Sequence, residues 1–125
     1  MAPDDELIRH ADLTLDVLRG KWKVQLIFLM ARGVHRHSRL VESLPGISKK
    51  VMTDTLRTLE RCGIVERRTF GEVPARVEYS LTQLGWTLTE PLIALSDWGA
   101  AHGGEVEAAR ARDRGEEPSA ERLVA

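Results

Sequence analysis

Apolar residues along this chain recur at helical spacing up to Gly63, and the stretches that follow it are instead rich in β-branched and aromatic residues. Trp22, Leu26 and Leu29 stand four and three apart, with Val24, Ile27 and Phe28 widening the face, which predicts a helix over Lys21 to Arg32 closed by Gly33. His37 or Ser38 can start a second helix through Leu44, which Pro45 and Gly46 stop. Ser48 can cap a third, Lys49 to Cys62, ending at Gly63. In that helix Met52, Leu56 and Leu59 share the inner face, so Lys49, Lys50, Thr53 and Arg57 point outward. Ile64 to Phe70 and Val77 to Leu81 are rich in β-branched and aromatic residues and flank a Gly-Glu-Val-Pro-Ala-Arg loop, Gly71 to Arg76, which predicts a two-stranded ribbon. Thr82 can then cap a last long helix bearing Leu84, Leu88, Leu92 and Leu95, with Trp86, Ile93 and Trp98 as further bulk and a kink expected at Pro91. The fold class is mainly α with a small β-ribbon, in the order of a winged helix-turn-helix with flanking N- and C-terminal helices.

The two ends carry less pattern. Residues 1–11 read as a flexible lead-in, residues 12–102 as one domain, and residues 103–125, made of Ala, Glu and Arg with scattered Gly and Pro, as a frayed helix or disordered tail. If the three central helices form their own core, the last apolar stripe has little left to pack against. A second copy of the chain is then the expected partner, with Leu13, Val17, Leu88, Leu92, Ile93, Leu95 and Trp98 at the interface of a homodimer. The alternative is that the stripe folds back on its own core.

At 125 residues the chain has room for about one domain and none for a separate catalytic one. No apolar run approaches the ~20 residues needed to cross a bilayer, and the N-terminus is acidic, so a cytoplasmic, nucleoid-associated protein without a membrane partner is expected. The net charge of −1 hides a segregation: from Arg19 to Arg68, 12 Lys and Arg face four acidic residues. A basic block between acidic flanks suits a polyanion such as double-stranded DNA. On that reading Ser48, Lys49, Lys50, Thr53 and Arg57, near the start of a helix that fits a major groove, are the candidate base readers. Ser38, Arg39, Lys21, Lys23 and Arg68 are candidate phosphate contacts, and Arg76 is either a wing contact or structural. Asp54 would repel phosphate unless it accepts from a cytosine amino group or orients an arginine.

The strings Leu15 to Lys23, containing Gly20-Lys21-Trp22, then Leu44-Pro45-Gly46-Ile47-Ser48, Leu56 to Glu60, Gly63 to Arg67, Val73 to Thr82, Leu84-Gly85 and Asp97-Trp98 resemble the HxlR-type bacterial transcriptional regulators. The resemblance covers roughly residues 12–102. It implies a winged-helix homodimer, related in architecture to MarR-type regulators, that binds pseudo-palindromic operators and by default represses. Many such regulators sense oxidants through a cysteine about a dozen residues before Gly-Lys-Trp, a place that falls here at Arg9, beside His10 and Ala11. Cys62, the sole cysteine, lies at a helix end where the dipole does not favour an anion, and is expected to be a small packed residue. His37 stands where the resemblance implies a buried Phe, and Trp86 where it implies a polar residue. Local repacking explains both; the sharper reading is a pocket for an aromatic or planar effector lined by Trp86, Trp98 and Trp22.

Enzyme readings find little support. His10, His35, His37 and His102 form no triad or metal motif beyond a bare His35-x-His37, no phosphate-binding glycine loop appears, and no cofactor or metal is expected. A protein-interaction winged helix, or a protein that coats DNA without sequence preference, are the alternatives that remain.

Overall fold

In the computed structural model, which describes residues 3–116, helix α1 spans Pro3–Leu18. The expected flexible lead-in is therefore helical from Pro3. A proline at the first helical position has φ already set, and acidic residues just after it suit the positive end of the helix dipole. Helix α2 (Lys23–Ala31) buries Leu26, Ile27 and Met30 and closes at Gly33, whose φ is +92°. Helix α3 (His37–Ser43) contributes Leu40, and a turn holding Leu44 and Ile47 leads to helix α4 (Lys49–Arg61). Ser48 caps α4 by accepting from the Val51 N–H at 3.1 Å. Met52, Leu56 and Leu59 of α4 are fully buried, as their spacing predicted. Each such side chain stabilises by about 1.5–3 kcal/mol relative to exposure. Cys62 caps the C-terminus of α4 and is exposed rather than packed, because the inner face of the helix is already filled by the leucines.

Strands β1 (Val65–Phe70) and β2 (Arg76–Leu81) pair antiparallel with Val65 opposite Leu81 and Phe70 opposite Arg76. The segment before α3 runs along the free edge of β2. There Arg36 bridges Glu78, the Tyr79 N–H donates to the His35 carbonyl at 2.9 Å, and His35 Nδ1 donates to the Tyr79 carbonyl at 2.9 Å. This lacing ties the start of α3 to the ribbon. It also occupies His35, and no group of three or more His, Cys, Asp or Glu among the described residues is arranged to hold a metal.

The single long helix expected after Thr82 is two. Helix α5 (Gln83–Trp86) is capped by Thr82, and helix α6 (Thr89–Asp113) follows. Pro91 has no N–H to offer the Thr87 carbonyl, so the helix stops at Trp86 and restarts with Pro91 in its first turn, where no N–H is required. Thr87 and Thr89 help the break by bonding their hydroxyls back to the carbonyls of Leu84 and Trp86. Helix α6 also outruns the boundary expected at residue 103, because Ala, Glu and Arg are strong helix formers; residues 117–125 of the expected tail lie outside the described residues. The chain divides into two compact units, Met1–Thr89 and Glu90–Ala125, and the buried side chains named so far all belong to the first. No helix among the described residues is long and apolar enough to cross a membrane.

Candidate nucleic-acid interface

Capping at Ser48 and burial of Met52, Leu56 and Leu59 fix the rotation of α4, and with it which residues face out. Lys49, Lys50 and Arg57 are exposed, and Thr53 is half-buried. Beside this helix the ribbon leaves a groove of about 650 Å³, lined by Arg36, His37 and Ser38 from the start of α3, Thr53 and Arg57 from α4, Arg67 from β1, Glu72 to Ala75 of the wing loop, and Arg76, Val77 and Tyr79 of β2. Four arginines converge on one open groove. Such an arrangement can neutralise and grip phosphates while α4 presents its start alongside.

Of the residues singled out from sequence, Ser38, Thr53, Arg57 and Arg76 meet at this groove, and Ser48, Lys49 and Lys50 lead into it along α4. Arg39 lines a smaller neighbouring cavity with Arg36, His35 and Glu78. Lys21 and Lys23 stand at the start of α2 and Arg68 on β1, none of them lining the groove; Lys21 Nζ lies 4.6 Å from the centroid of the Trp22 ring. Asp54 is exposed on α4 and forms no ion pair among the described residues. Trp22, Trp86 and Trp98 line neither cavity.

Arg76 is already engaged within the protein. Its Nη2 lies 3.2 Å from Glu72 Oε1, its Nε lies 3.1 Å from Glu78 Oε2 in a close but poorly aligned contact, and its guanidinium sits 4.2 Å from the Phe70 ring centroid. The pairing of Phe70 with Arg76 across the ribbon produces this stack. Sequence reading missed Arg36 and Arg67. The strand register would have shown Arg67, which pairs with Tyr79 and so shares its face; Arg36 is placed only by the bridge to Glu78.

His37 joins the two helices of the motif, its Nε2 lying 3.4 Å from Thr53 Oγ1 and its ring tilted 6.3 Å from that of Tyr79. Burial, and secondarily the charge of Lys49, pushes its pKa below the ordinary 6.5. The unfolded chain then takes up this proton first, so the contribution of His37 to stability is intact above pH 6.5 and is lost as pH falls from there through the lowered folded value. Denaturant midpoints measured across that range should fall more steeply for the natural protein than for His37→Gln. Parallel curves would show that the ring titrates alike in both states.

The profile of the family described as HxlR-like helix-turn-helix matches residues 17–107. The HTH-type transcriptional regulator YdeP of Bacillus subtilis is 34% identical over 85% of this chain and 83% of its own length. Among solved structures, the redox regulator HypR in its reduced form superposes with a TM-score of 0.75 at 38% identity, over 78% of this chain and 97% of HypR. The transcriptional regulator YtfH from Salmonella typhimurium superposes with a TM-score of 0.70 at 33% identity, over 80% of this chain and 89% of its own.

Proposed function

This chain belongs to the HxlR-like helix-turn-helix family of transcriptional regulators, and from that premise we propose that it is a sequence-specific repressor acting as a homodimer on a pseudo-palindromic operator. The observation that carries the reading is the juxtaposition of the exposed basic face of α4 with the arginine-lined groove under the wing. In a duplex, α4 enters the major groove, the backbone strand beside it lies against Arg36, Arg57 and Arg67, and the wing reaches toward the minor groove. Ser48, Lys49, Lys50 and Thr53 read bases, and Arg57 reaches a base or a phosphate; Ser38, Arg39, Arg68, Lys21 and Lys23 add phosphate contacts.

Dimerisation is supported by apolar surface that a single chain leaves open. Leu7, Ile8, Leu13 and Leu15 on α1 and Ile93, Leu95 and Trp98 on α6 are each at least half exposed. Val17 and Leu88 are half-buried, and Leu92, expected at the interface, is 2% exposed within one chain and is not available to a partner. Two subunits related by a two-fold axis would place their α4 helices about one DNA turn, ~34 Å, apart. Selection of genomic fragments by the purified protein at physiological salt tests the whole reading. An enriched inverted repeat supports it, enrichment without a motif would mean coating of DNA, and no retention would point to a protein-interaction winged helix.

Arg76 serves this function as a brace that holds the wing and neutralises Glu72 and Glu78 beside the DNA. Arg76→Ala should weaken operator binding severalfold without lowering the salt dependence, whereas loss of a phosphate contact lowers the logarithmic salt slope by about 1. Titrations at several salt concentrations separate the two.

HypR is described as a redox regulator, but here the response is to a small molecule and not to thiol oxidation, since Cys62 is the sole cysteine and stands at the far end of α4 from Ser48. Treatment with the thiol oxidant diamide should leave operator affinity equal in the natural protein and in Cys62→Ser. A loss confined to the natural protein would reinstate a thiol switch.

A further inference from the structure

The groove holds more chemistry than a DNA backbone needs. Arg36, Arg57 and Arg67 line it, and none forms an ion pair with another described residue, whereas Arg76 is engaged with Glu72 and Glu78, so the groove's own carboxylate is already balanced. Val73, Pro74, Val77 and the ring of Tyr79 add an apolar wall. Tyr79 is 3% exposed and lines the groove. The volume of about 650 Å³ also suits a small molecule.

Resting on the reading of this groove as DNA-facing, we propose that it is also the effector site, and that the effector is a small planar carboxylate such as a fused-ring aromatic acid. The carboxylate takes the fork of Arg67 and accepts from the Tyr79 hydroxyl, while the flat ring lies against Val77 and the wing residues Val73 and Pro74. A phosphodiester meets the exposed guanidiniums equally well but brings nothing flat to the apolar wall. Ligand and DNA backbone need the same arginines, so binding of one excludes the other. Release from the operator then requires no conformational signal from a distant pocket, and the tryptophans are not involved.

The probe is 2-naphthoate, titrated by calorimetry into the full-length protein without DNA, alongside neutral 2-naphthamide and inorganic phosphate. The expected result is saturable binding of 2-naphthoate at one site per chain, with the amide and phosphate much weaker. Tyr79→Phe and Arg67→Gln should each weaken it about tenfold, as loss of a charge-assisted hydrogen bond does. Arg67 is exposed, so its variant keeps the experiment informative if the buried substitution disturbs folding. In the natural protein 2-naphthoate should raise the apparent operator Kd in proportion to its concentration, as a competitor does. Phosphate binding as tightly as 2-naphthoate, affinity indifferent to both substitutions, or no saturable binding would each overturn the proposal. Failure of this proposal leaves operator selection intact, whereas failure of the DNA reading abolishes the selection itself.

Discussion

Gly85→Ala should destabilise the protein by about 3 kcal/mol, more than almost any other single methyl group could. A Cβ built at this position would stand 2.2 Å from the Ile64 carbonyl oxygen and 3.2 Å from Leu81 Cδ2. The first obstacle is backbone and has little room to yield. Ile64 is pinned there from the other side, because its carbonyl accepts the Thr82 N–H at 3.0 Å and the Thr82 hydroxyl at 3.2 Å, while Thr82 Oγ1 in turn accepts the Gly85 N–H at 3.0 Å. The end of α4, the root of the ribbon and the start of α5 are thereby locked at one crossing. Thermal unfolding should show a midpoint lower by roughly 10–15 °C. The same change at Gly99, an α6 position with nothing within 4 Å of its Cβ, serves as the control and should be neutral to stabilising. Equal effects at the two sites would mean that helix propensity and not the Ile64 carbonyl governs Gly85.

The second large effect concerns recognition. Replacing both Lys50 and Arg57 by Ala should cost roughly 2–6 kcal/mol of operator binding, about 1–3 from each, because the two lie two helical turns apart and share no partner. Neither side chain belongs to the buried face of α4, so the unfolding midpoint should stay where it is. The informative readout is the selected sequence. Arg57→Ala should relax preference at one position in each half-site if it reads a base, and should instead weaken every sequence alike, with a salt slope lower by about 1, if it grips phosphate. If neither single substitution alters the preferred site, the reading surface lies elsewhere than the outer face of α4.

Much of this molecule is legible from its residues alone. The three central helices and the two strands stand close to where periodicity, Ser48, Gly33, Gly63 and the Pro45-Gly46 turn put them, since these signals act within a few residues and owe little to distant parts of the chain. The basic middle and the outward face of α4 follow from the same local rules. What misleads is also local. The opening residues look too polar for a helix although Pro3 and the acids after it favour one, and Pro91 looks like a kink although the chain can place it in a fresh first turn.

The groove is of another kind. Arg36, Arg67 and the β2 residues Arg76 and Tyr79 come from three separate stretches of the chain, and only strand register and the Arg36 to Glu78 bridge bring them around one cavity. The role of Arg76 likewise turns on partners across the ribbon, Phe70, Glu72 and Glu78, whose geometry no spacing reveals. By itself the sequence determined the three central helices, the two strands and the charged face, because capping, periodicity and composition are short-range properties, and its motifs carried the resemblance to the family. Tertiary structure alone decided which groove arginines stand outside the ion pairs, which leucine of the last helix is buried and what the wing encloses, because those depend on pairings between residues far apart in the chain.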